Sequence, residues 1–362
     1  MRGFLERTTA ELVAIPSPSG KETALADYVC ARLREEGLRP HRDVEDNAWV
    51  EVGAGKKRLI LNAHLDTVIP VAGWETDPFK ATVKGDRLYG LGASDCKAGV
   101  AALLWLATRI EPKVRVLISF TVCEEGLDLL KPNGSEAIAA MGGDWAVACE
   151  PTCEEGKPVI GIGTQGHARA FVKFRGKAAH SSRPEDGRNA IEAAARFCVE
   201  LAQLNASYVA TEIVPGSKAR STVAPTIISG GTLSNIIPDA AEVTVSRRLA
   251  PGETAETFRE ELDRLLAGAD ANFTIASDGA GALTRRDGIL LEMARRAAGK
   301  GAREAFFRGR TDAIIYARHG MDTLTMGPGE MGQCHVANEY VDLKGAVAAV
   351  RVLEGLVNSL TD

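Results

Sequence analysis

Three short apolar segments of this chain each end in a motif that carries acidic side chains or histidine. The segments lie at 58–62, 114–122 and 145–149, and the motifs after them, HLDT, CEEG and CEPT, contain His64, Asp66, Glu124, Glu125 and Glu150. Such runs predict interior strands of an α/β sheet. Since open α/β sheets bind their ligands at the carboxyl ends of the strands, we expect these side chains to share one site.

Two further motifs add Asp95, in GASDCKAG, and His335, in GQCHVANEY. Imidazole and carboxylate groups together are ligands that zinc prefers, so the set indicates a two-metal hydrolase. The adjacent Glu124 and Glu125 repel each other unless a cation lies beside them, and one of the two is then free to act as a base. Taken singly, each motif has a plain alternative: a polar loop after a strand, an exposed acidic turn, or a helix cap at Asp95.

The composition is that of a globular protein of two domains. The 362 residues exceed the size at which one core keeps growing, and 45% of them are hydrophobic and 25% charged. A net charge of -5 argues against a nucleic-acid-binding surface. The first residues lack an apolar run typical of a signal peptide, no segment is long and apolar enough to span a membrane, and seven cysteines fit reduced thiols, so we expect a cytoplasmic protein.

The chain order of predicted elements separates an inserted domain from the rest. Residues 165–275 follow the order β, α, β, β, α, β of a ferredoxin-like unit. The flanking segments 1–164 and 276–362 have an α/β pattern and contain all the motifs named so far. We therefore predict an α/β fold with a mixed-sheet catalytic domain and an inserted α+β domain.

Two alternatives concern the cysteines and a glycine motif. Cysteines 96, 123, 149 and 334 each flank a proposed ligand or the base, but alternation along an extended segment predicts that they face the core rather than bind metal. The sequence GIGTQG at 161–166 matches the dinucleotide-binding pattern of a dehydrogenase. That pattern requires a helix directly after the glycines, whereas HARAFVKF predicts a strand, so we interpret the glycines as a hinge between domains.

In order, the motifs HLDT, GASDCKAG, CEEG, CEPT, GKAAHSS, SNIIPD, RTDA and GQCHVANEY resemble those of the di-zinc amidohydrolases that include N-acetylornithine deacetylase, succinyl-diaminopimelate desuccinylase, aminoacylases and related carboxypeptidases. The resemblance covers nearly the whole chain. It implies a zinc-peptidase-like catalytic domain with an inserted lid and dimerisation domain, and therefore a homodimer.

The resemblance also implies a role for each motif residue. Asp95 would bridge two zinc ions, with cobalt or manganese as alternatives, and would be followed by a cis peptide bond to Cys96. One ion would be completed by His64 and Glu150, and the other by Glu125 and His335. Glu124 would be the general base, and Asp66 would orient His64.

In the inserted domain, the resemblance implies that His180 reaches the partner's active site and polarises the scissile carbonyl. Asn235 and Arg248 would hold the acyl and carboxylate ends of the substrate, and an arginine suits a carboxylate well because it can bind it bidentately. Thr311, in the RTDA turn, is a further expected substrate contact. The family often has an arginine soon after this turn, whereas here Ile314 and Ile315 follow.

Together these features predict hydrolysis of the amide bond of an N-acyl amino acid by a zinc-activated water, in arginine or lysine biosynthesis. A di-zinc aminopeptidase or carboxypeptidase would share every ligand and remains open as an alternative. A nicotinamide-dependent dehydrogenase is a more distant one.

Overall fold

The computed structural model describes residues 1–126 and 132–362, which form two compact units. The first unit comprises Met1–Thr164, Leu283–Phe307 and Thr311–Asp362, and the second comprises Gln165–Ala282 with Arg308–Arg310. The second unit begins at the predicted residue. It ends at Ala282 rather than at 275 because the strand Ala271–Gly279 belongs to its sheet.

The strands are listed here in chain order. They are β1 (His41–Arg42), β2 (Ala48–Val52), β3 (Arg58–His64), β4 (Thr82–Lys84), β5 (Arg87–Tyr89), β6 (Arg115–Thr121), β7 (Trp145–Pro151), β8 (Val159–Thr164), β9 (Gly166–Arg175), β10 (Ala179–His180), β11 (Thr211–Val214), β12 (Ser217–Ala219), β13 (Thr222–Gly230), β14 (Ile236–Ile237), β15 (Ala240–Leu249), β16 (Ala271–Gly279), β17 (Ala282–Leu283), β18 (Arg303–Phe307), β19 (Asp322–Gly327) and β20 (Tyr340–Asp342).

The helices are likewise numbered along the chain. They are α1 (Arg2–Val13), α2 (Thr23–Glu35), α3 (Ala98–Leu106), α4 (Ser135–Ala140), α5 (Ala190–Ser207), α6 (Ala255–Leu265), α7 (Ile289–Ala298), α8 (Ala313–Arg318) and α9 (Leu343–Ser359). Among the described residues, no helix has the length and apolar character needed to cross a membrane.

The first unit is built on a mixed sheet with the strand order β1-β2-β6-β3-β7-β19-β8-β17, in which β18 also pairs with β8. Its central strands are buried almost throughout because helices pack on the sheet. The sequence of α3, AGVAALLWL, is apolar on every side, and this helix contacts α1, α9 and the sheet. A helix that is hydrophobic all round belongs in a core.

The register of the central strands brings the motifs to one edge. β3 pairs in parallel with both β6 and β7, and His64 at the end of β3 lies beside Thr121 at the end of β6. Glu150 is the next-to-last residue of β7. The carboxyl ends of these three strands therefore meet at the same edge of the sheet, as the sequence predicted.

The second unit has a four-stranded antiparallel sheet in the order β13-β15-β9-β16, crossed by α5 and α6. This is the ferredoxin-like arrangement expected from the sequence. β9 alternates between buried and exposed residues, and its buried side chains share a core with Phe197 of α5 and Phe258 of α6. Helix α5 begins after Asn189, whose side chain accepts hydrogen bonds from the backbone of Ile191 and Glu192.

The glycine motif lies in strands and not before a helix, which excludes the dinucleotide-binding interpretation of GIGTQG. Gly161 is in β8, where an added Cβ would lie 2.5 Å from the carbonyl oxygen of Thr325. Gly166 begins β9, where a Cβ would lie 2.4 Å from the carbonyl oxygen of Gly279. Close approach between strands accounts for Gly161 and Gly166 within each unit, and our interpretation of the motif as a hinge stays a prediction.

Candidate metal centre

His64 is fixed by its own motif, with its second ring nitrogen facing the proposed carboxylate ligands. The buried ring places Nδ1 2.9 Å from the backbone carbonyl oxygen of Asp66, and only an N–H can donate to that oxygen. Nε2 lies 3.1 Å from Oδ1 of Asp95 and 3.9 Å from Oε2 of Glu150, where it can donate a proton to a carboxylate or, once deprotonated, bind an ion. Such a contact at the second ring nitrogen is typical of metal-binding histidines.

Asp95 lies between the two imidazoles that the sequence singled out. Its Oδ1 faces His64, and its Oδ2 lies 3.5 Å from Nε2 of His335. Nε2 of His335 is also 2.6 Å from Oε1 of Glu125. One carboxylate that faces a histidine with each oxygen has the arrangement needed to share two ions. The predicted cis peptide bond between Asp95 and Cys96 is present, so that prediction is confirmed.

The carboxylate of Asp66 holds the backbone of the acidic pair. Its Oδ1 accepts a hydrogen bond from the backbone nitrogen of Glu124 at 3.0 Å, and its Oδ2 accepts one from that of Glu125 at 2.8 Å. Oδ2 also accepts a hydrogen bond from the hydroxyl of Ser19 at 2.6 Å. The distance from Oδ1 to Nδ1 of His64 is 3.5 Å, longer than the contact that the backbone carbonyl makes. Both the backbone carbonyl and the carboxylate of Asp66 thus face Nδ1 of His64, and the orienting role of Asp66 stays a prediction.

Burial and crowding make the carboxylates favour a nearby cation. Burial raises the pKa of Glu150 well above its usual range, and the neighbouring Asp95 and Glu124 raise it further. Burial also raises the pKa of Glu125, as does the charge of Asp95. The pKa of Asp95 itself is lowered, because hydrogen bonds from His335 and His64 outweigh the effect of its burial.

The histidines respond in the opposite direction. Hydrogen bonds to Asp95 and Glu125 raise the pKa of His335 to about 10. Burial alone would lower the pKa of His64, but the neighbouring thiol of Cys96 and the carboxylates raise it well above its usual range. Protonated imidazoles thus balance the acidic cluster. Divalent cations held by the same nitrogen and oxygen atoms would balance it equally well, so the donor set fits a metal site.

Glu339 holds the turn that carries Asp95, and sequence analysis did not single it out. Its buried carboxylate accepts hydrogen bonds from the backbone nitrogens of Gly92, Ser94 and Asp95 at 2.9, 2.8 and 3.0 Å. Burial raises its pKa to about 7. The residue lies within the motif GQCHVANEY, so its position four residues after His335 was the available signal.

The alternation argument predicted that Cys96 faces away from the ligands, but its side chain lies close to two of them. Ligand-capable atoms of His64, Cys96 and Glu150 all lie within 4.8 Å of one another, and a second such group is formed by His64, Asp95 and Glu125. Alternation between faces applies to extended strands, whereas residues 93–97 form a wide helical turn with irregular backbone angles at Asp95 and Cys96. The cysteines at 123 and 149 are buried, and Cys334 is partly buried.

Thr311 is fully buried in the first unit, where its hydroxyl lies 3.3 Å from that of Thr325 and accepts a hydrogen bond from the backbone of Ala313. These contacts favour a structural role over the expected substrate contact. The backbone N–H that this hydroxyl accepts belongs to Ala313, the first residue of α8. The neighbouring Asp312 accepts hydrogen bonds from Asn62 and from other polar groups beneath the site.

The remaining predicted residues belong to the second unit. His180 and Asn235 lie close together there, since β10 pairs with β14 and the backbone nitrogen of Ser181 donates to the carbonyl oxygen of Asn235 at 2.9 Å. The exposed ring of His180 bonds through Nδ1 to the hydroxyl of Ser182 at 2.8 Å. Arg248 lies in β15, beside Thr222 and His167 of the neighbouring strands.

A comparison with known families matches residues 60–359 to the peptidase family M20/M25/M40. The chain belongs to this family. As a member of the M20 family, it is a metal-dependent hydrolase that acts on amide bonds.

Two relatives of known name cover almost the whole chain. A Mycobacterium tuberculosis protein provisionally named succinyl-diaminopimelate desuccinylase DapE is 32% identical over 361 residues, which are 98% of each chain. An acetylornithine deacetylase of Myxococcus xanthus is 30% identical over 372 residues, with 96% of this chain and 95% of the relative covered. Relatives that are about 30% identical to this chain thus include proteins named as deacylases.

Solved structures of the M20 family have the same fold. A tripeptidase of Staphylococcus aureus superposes with a TM-score of 0.78 at 21% identity, over 99% of this chain and 98% of that one. A Bacillus subtilis protein described as a dinuclear metal-binding peptidase gives a TM-score of 0.72 at 18% identity, over 98% and 97%.

Proposed function

We propose that the protein is a deacylase that hydrolyses the amide bond of an N-acyl amino acid. N-acetylornithine and N-succinyl-diaminopimelate are the first substrates to test, because relatives at about 30% identity carry these names. The proposal rests on the position of Asp95. Each of its two carboxylate oxygens faces one imidazole, and Glu125 lies beside it.

Two divalent ions fit the donor set, and we propose zinc, with cobalt and manganese as alternatives. His64 and Glu150 would hold one ion, Glu125 and His335 the other, and Asp95 would share both. When bound, such ions supply Lewis acidity, which acidifies water and polarises a carbonyl oxygen. The dinuclear description of the Bacillus subtilis structure supports the number of ions.

Glu124 is the proposed general base. Asp66 holds its backbone, and the charge of Glu124 raises the pKa of the neighbouring Glu150. From there the Glu124 carboxylate would take a proton from water as the water oxygen bonds to the amide carbon. As the carbon–nitrogen bond breaks, the same proton passes to the leaving nitrogen. The products are a carboxylate and the free amino acid.

The second unit would supply the remaining groups. We propose that His180 of one subunit polarises the scissile carbonyl in its partner's site, and that Asn235 and Arg248 bind the acyl and carboxylate ends of the substrate. This proposal requires a homodimer. The edge strand β13 supports one, because its residues beyond Val223 are exposed and include Ile227 and Ile228, which are 62% and 54% accessible. The free thiols support a cytoplasmic location.

The test is amine release from a panel of N-acetylornithine, N-succinyl-diaminopimelate, N-acetylcitrulline and dipeptides, measured on chelator-stripped protein with zinc or cobalt restored. Metal-restored cleavage of an acyl amino acid supports the proposal. Cleavage of dipeptides alone would instead assign the protein to the peptidases, the second candidate, which the names of the structural neighbours favour.

A Glu124→Gln variant tests the base directly. The amide cannot accept the proton, so turnover should fall by about 10²- to 10⁴-fold while metal content stays at the wild-type level. Wild-type turnover in this variant would remove Glu124 from the mechanism.

A further inference from the structure

The thiol of Cys96 lies among the metal-binding atoms and has no part in the proposed reaction. Cys96 is fully buried, and its Sγ is grouped with a ring nitrogen of His64 and a carboxylate oxygen of Glu150, all within 4.8 Å of one another. The thiol also donates a weak hydrogen bond to the backbone carbonyl oxygen of His64, at 3.4 Å.

The two groups of ligand atoms therefore differ in chemistry. The group of His64, Asp95 and Glu125 offers only nitrogen and oxygen, whereas the group of His64, Cys96 and Glu150 adds sulfur. Thiolate is a soft ligand that favours zinc, cadmium and other thiophilic ions, and carboxylate favours manganese and magnesium.

We propose that Cys96 is a protein ligand of the ion held by His64 and Glu150, and that it makes this position selective for thiophilic divalent ions. As the sulfur–metal bond forms, the thiol proton leaves to solvent. The other position, between Glu125 and His335, keeps a nitrogen and oxygen donor set and accepts harder ions. The inference rests on the two-metal site of the proposed function.

Neighbouring cysteines provide matched controls. The Sγ of Cys149 contacts the carbonyl oxygen of Gly99 at 4.0 Å, and that of Cys123 contacts Glu22 at 3.6 Å. Neither joins a group of metal-binding atoms among the described parts of the chain. Cys149 is as deeply buried as Cys96 and precedes Glu150 directly, so Cys149→Ser reproduces the change of side chain without removing the proposed ligand.

The experiment is cobalt substitution of the full-length protein, followed by absorption spectroscopy and metal analysis. A thiolate bound to cobalt gives an intense near-ultraviolet charge-transfer band, which nitrogen and oxygen ligands do not give. We expect the band in the wild type and in Cys149→Ser, and its loss in Cys96→Ser at an unchanged cobalt content.

A second measurement is independent of the spectrum. In competition between cadmium and manganese, the ratio of cadmium affinity to manganese affinity at the position of His64 and Glu150 should be about 10- to 100-fold lower in Cys96→Ser than in the wild type. A cobalt-loaded, hydrolytically active wild type without the band overturns the role of Cys96 and leaves the proposed function intact. Failure to bind cobalt at all overturns both.

Discussion

Oδ1 of Asp66 accepts the backbone N–H of Glu124 at 3.0 Å, so the residue two positions after a proposed metal ligand sets the position of the proposed base. The other oxygen of the same carboxylate accepts the N–H of Glu125. The backbone carbonyl of Asp66, meanwhile, fixes the ring of His64. Asp66 thereby positions the proposed base, Glu124, and two proposed ligands, Glu125 and His64.

Replacement of Asp66 by Asn should separate these functions. The backbone carbonyl stays, but an amide nitrogen replaces one acceptor and faces a backbone N–H. We expect kcat to fall by about 10- to 100-fold, with KM and metal content little changed.

The control for Asp66→Asn is Ser19→Ala, which removes one hydrogen bond to Asp66 and leaves both backbone contacts in place, so its turnover should be close to that of the wild type. Equal kcat values for Asp66→Asn and the wild type would contradict the positioning role.

Glu339→Gln should weaken metal binding although it replaces none of the proposed metal ligands. The amide leaves one of three backbone N–H groups in the turn of Asp95 without an acceptor, which costs about 1–3 kcal/mol of stability. Metal affinity should fall by about 10- to 100-fold, measured by chelator competition.

Glu330→Gln serves as the comparison for Glu339→Gln, since the carboxylate of Glu330 accepts from Gly156 and not from the Asp95 turn. The assigned role of Glu339 fails if both variants bind metal equally well.

The sequence could predict the site's residue types and strand ends because both follow from local patterns. Alternating and continuous apolar runs identify strands, and parallel register then brings their ends together, as it does for His64 and Glu150. Contacts through backbone atoms leave no such pattern. The hydrogen bond from His64 to the carbonyl of Asp66, and those from the turn of Asp95 to Glu339, depend on three-dimensional geometry. The orientation of Cys96 was missed for the same reason, since a turn follows no fixed alternation.

His180→Ala should reduce kcat by about 10²- to 10³-fold, because an oxyanion would lose one hydrogen-bond donor. Metal content should not change, since the residue lies outside the ligand cluster. His319→Ala is the appropriate control: that histidine is partly exposed in the first unit and contacts Glu136. Unaltered kinetics in His180→Ala would exclude it from the reaction.

Ile227→Lys should dissociate the proposed homodimer. A charge on the exposed edge strand β13 opposes strand pairing and apolar contact with a second copy. Light scattering should show a dimer for the wild type and a monomer for the variant. Val44→Lys, at an exposed apolar residue of the first unit, should remain dimeric. A wild type that is monomeric at every concentration would refute the homodimer.

The position of β19 in the sheet has a consequence for the order of events during synthesis. β19 lies between β7 and β8, yet its residues, Asp322–Gly327, follow the whole second unit in the chain. The second unit is therefore synthesised before β19, and β7 has an unpaired edge in the nascent chain until then. An unpaired strand edge is prone to aggregation. His335 emerges later still. A nascent chain accordingly cannot assemble the full set of proposed ligands until His335 has been synthesised.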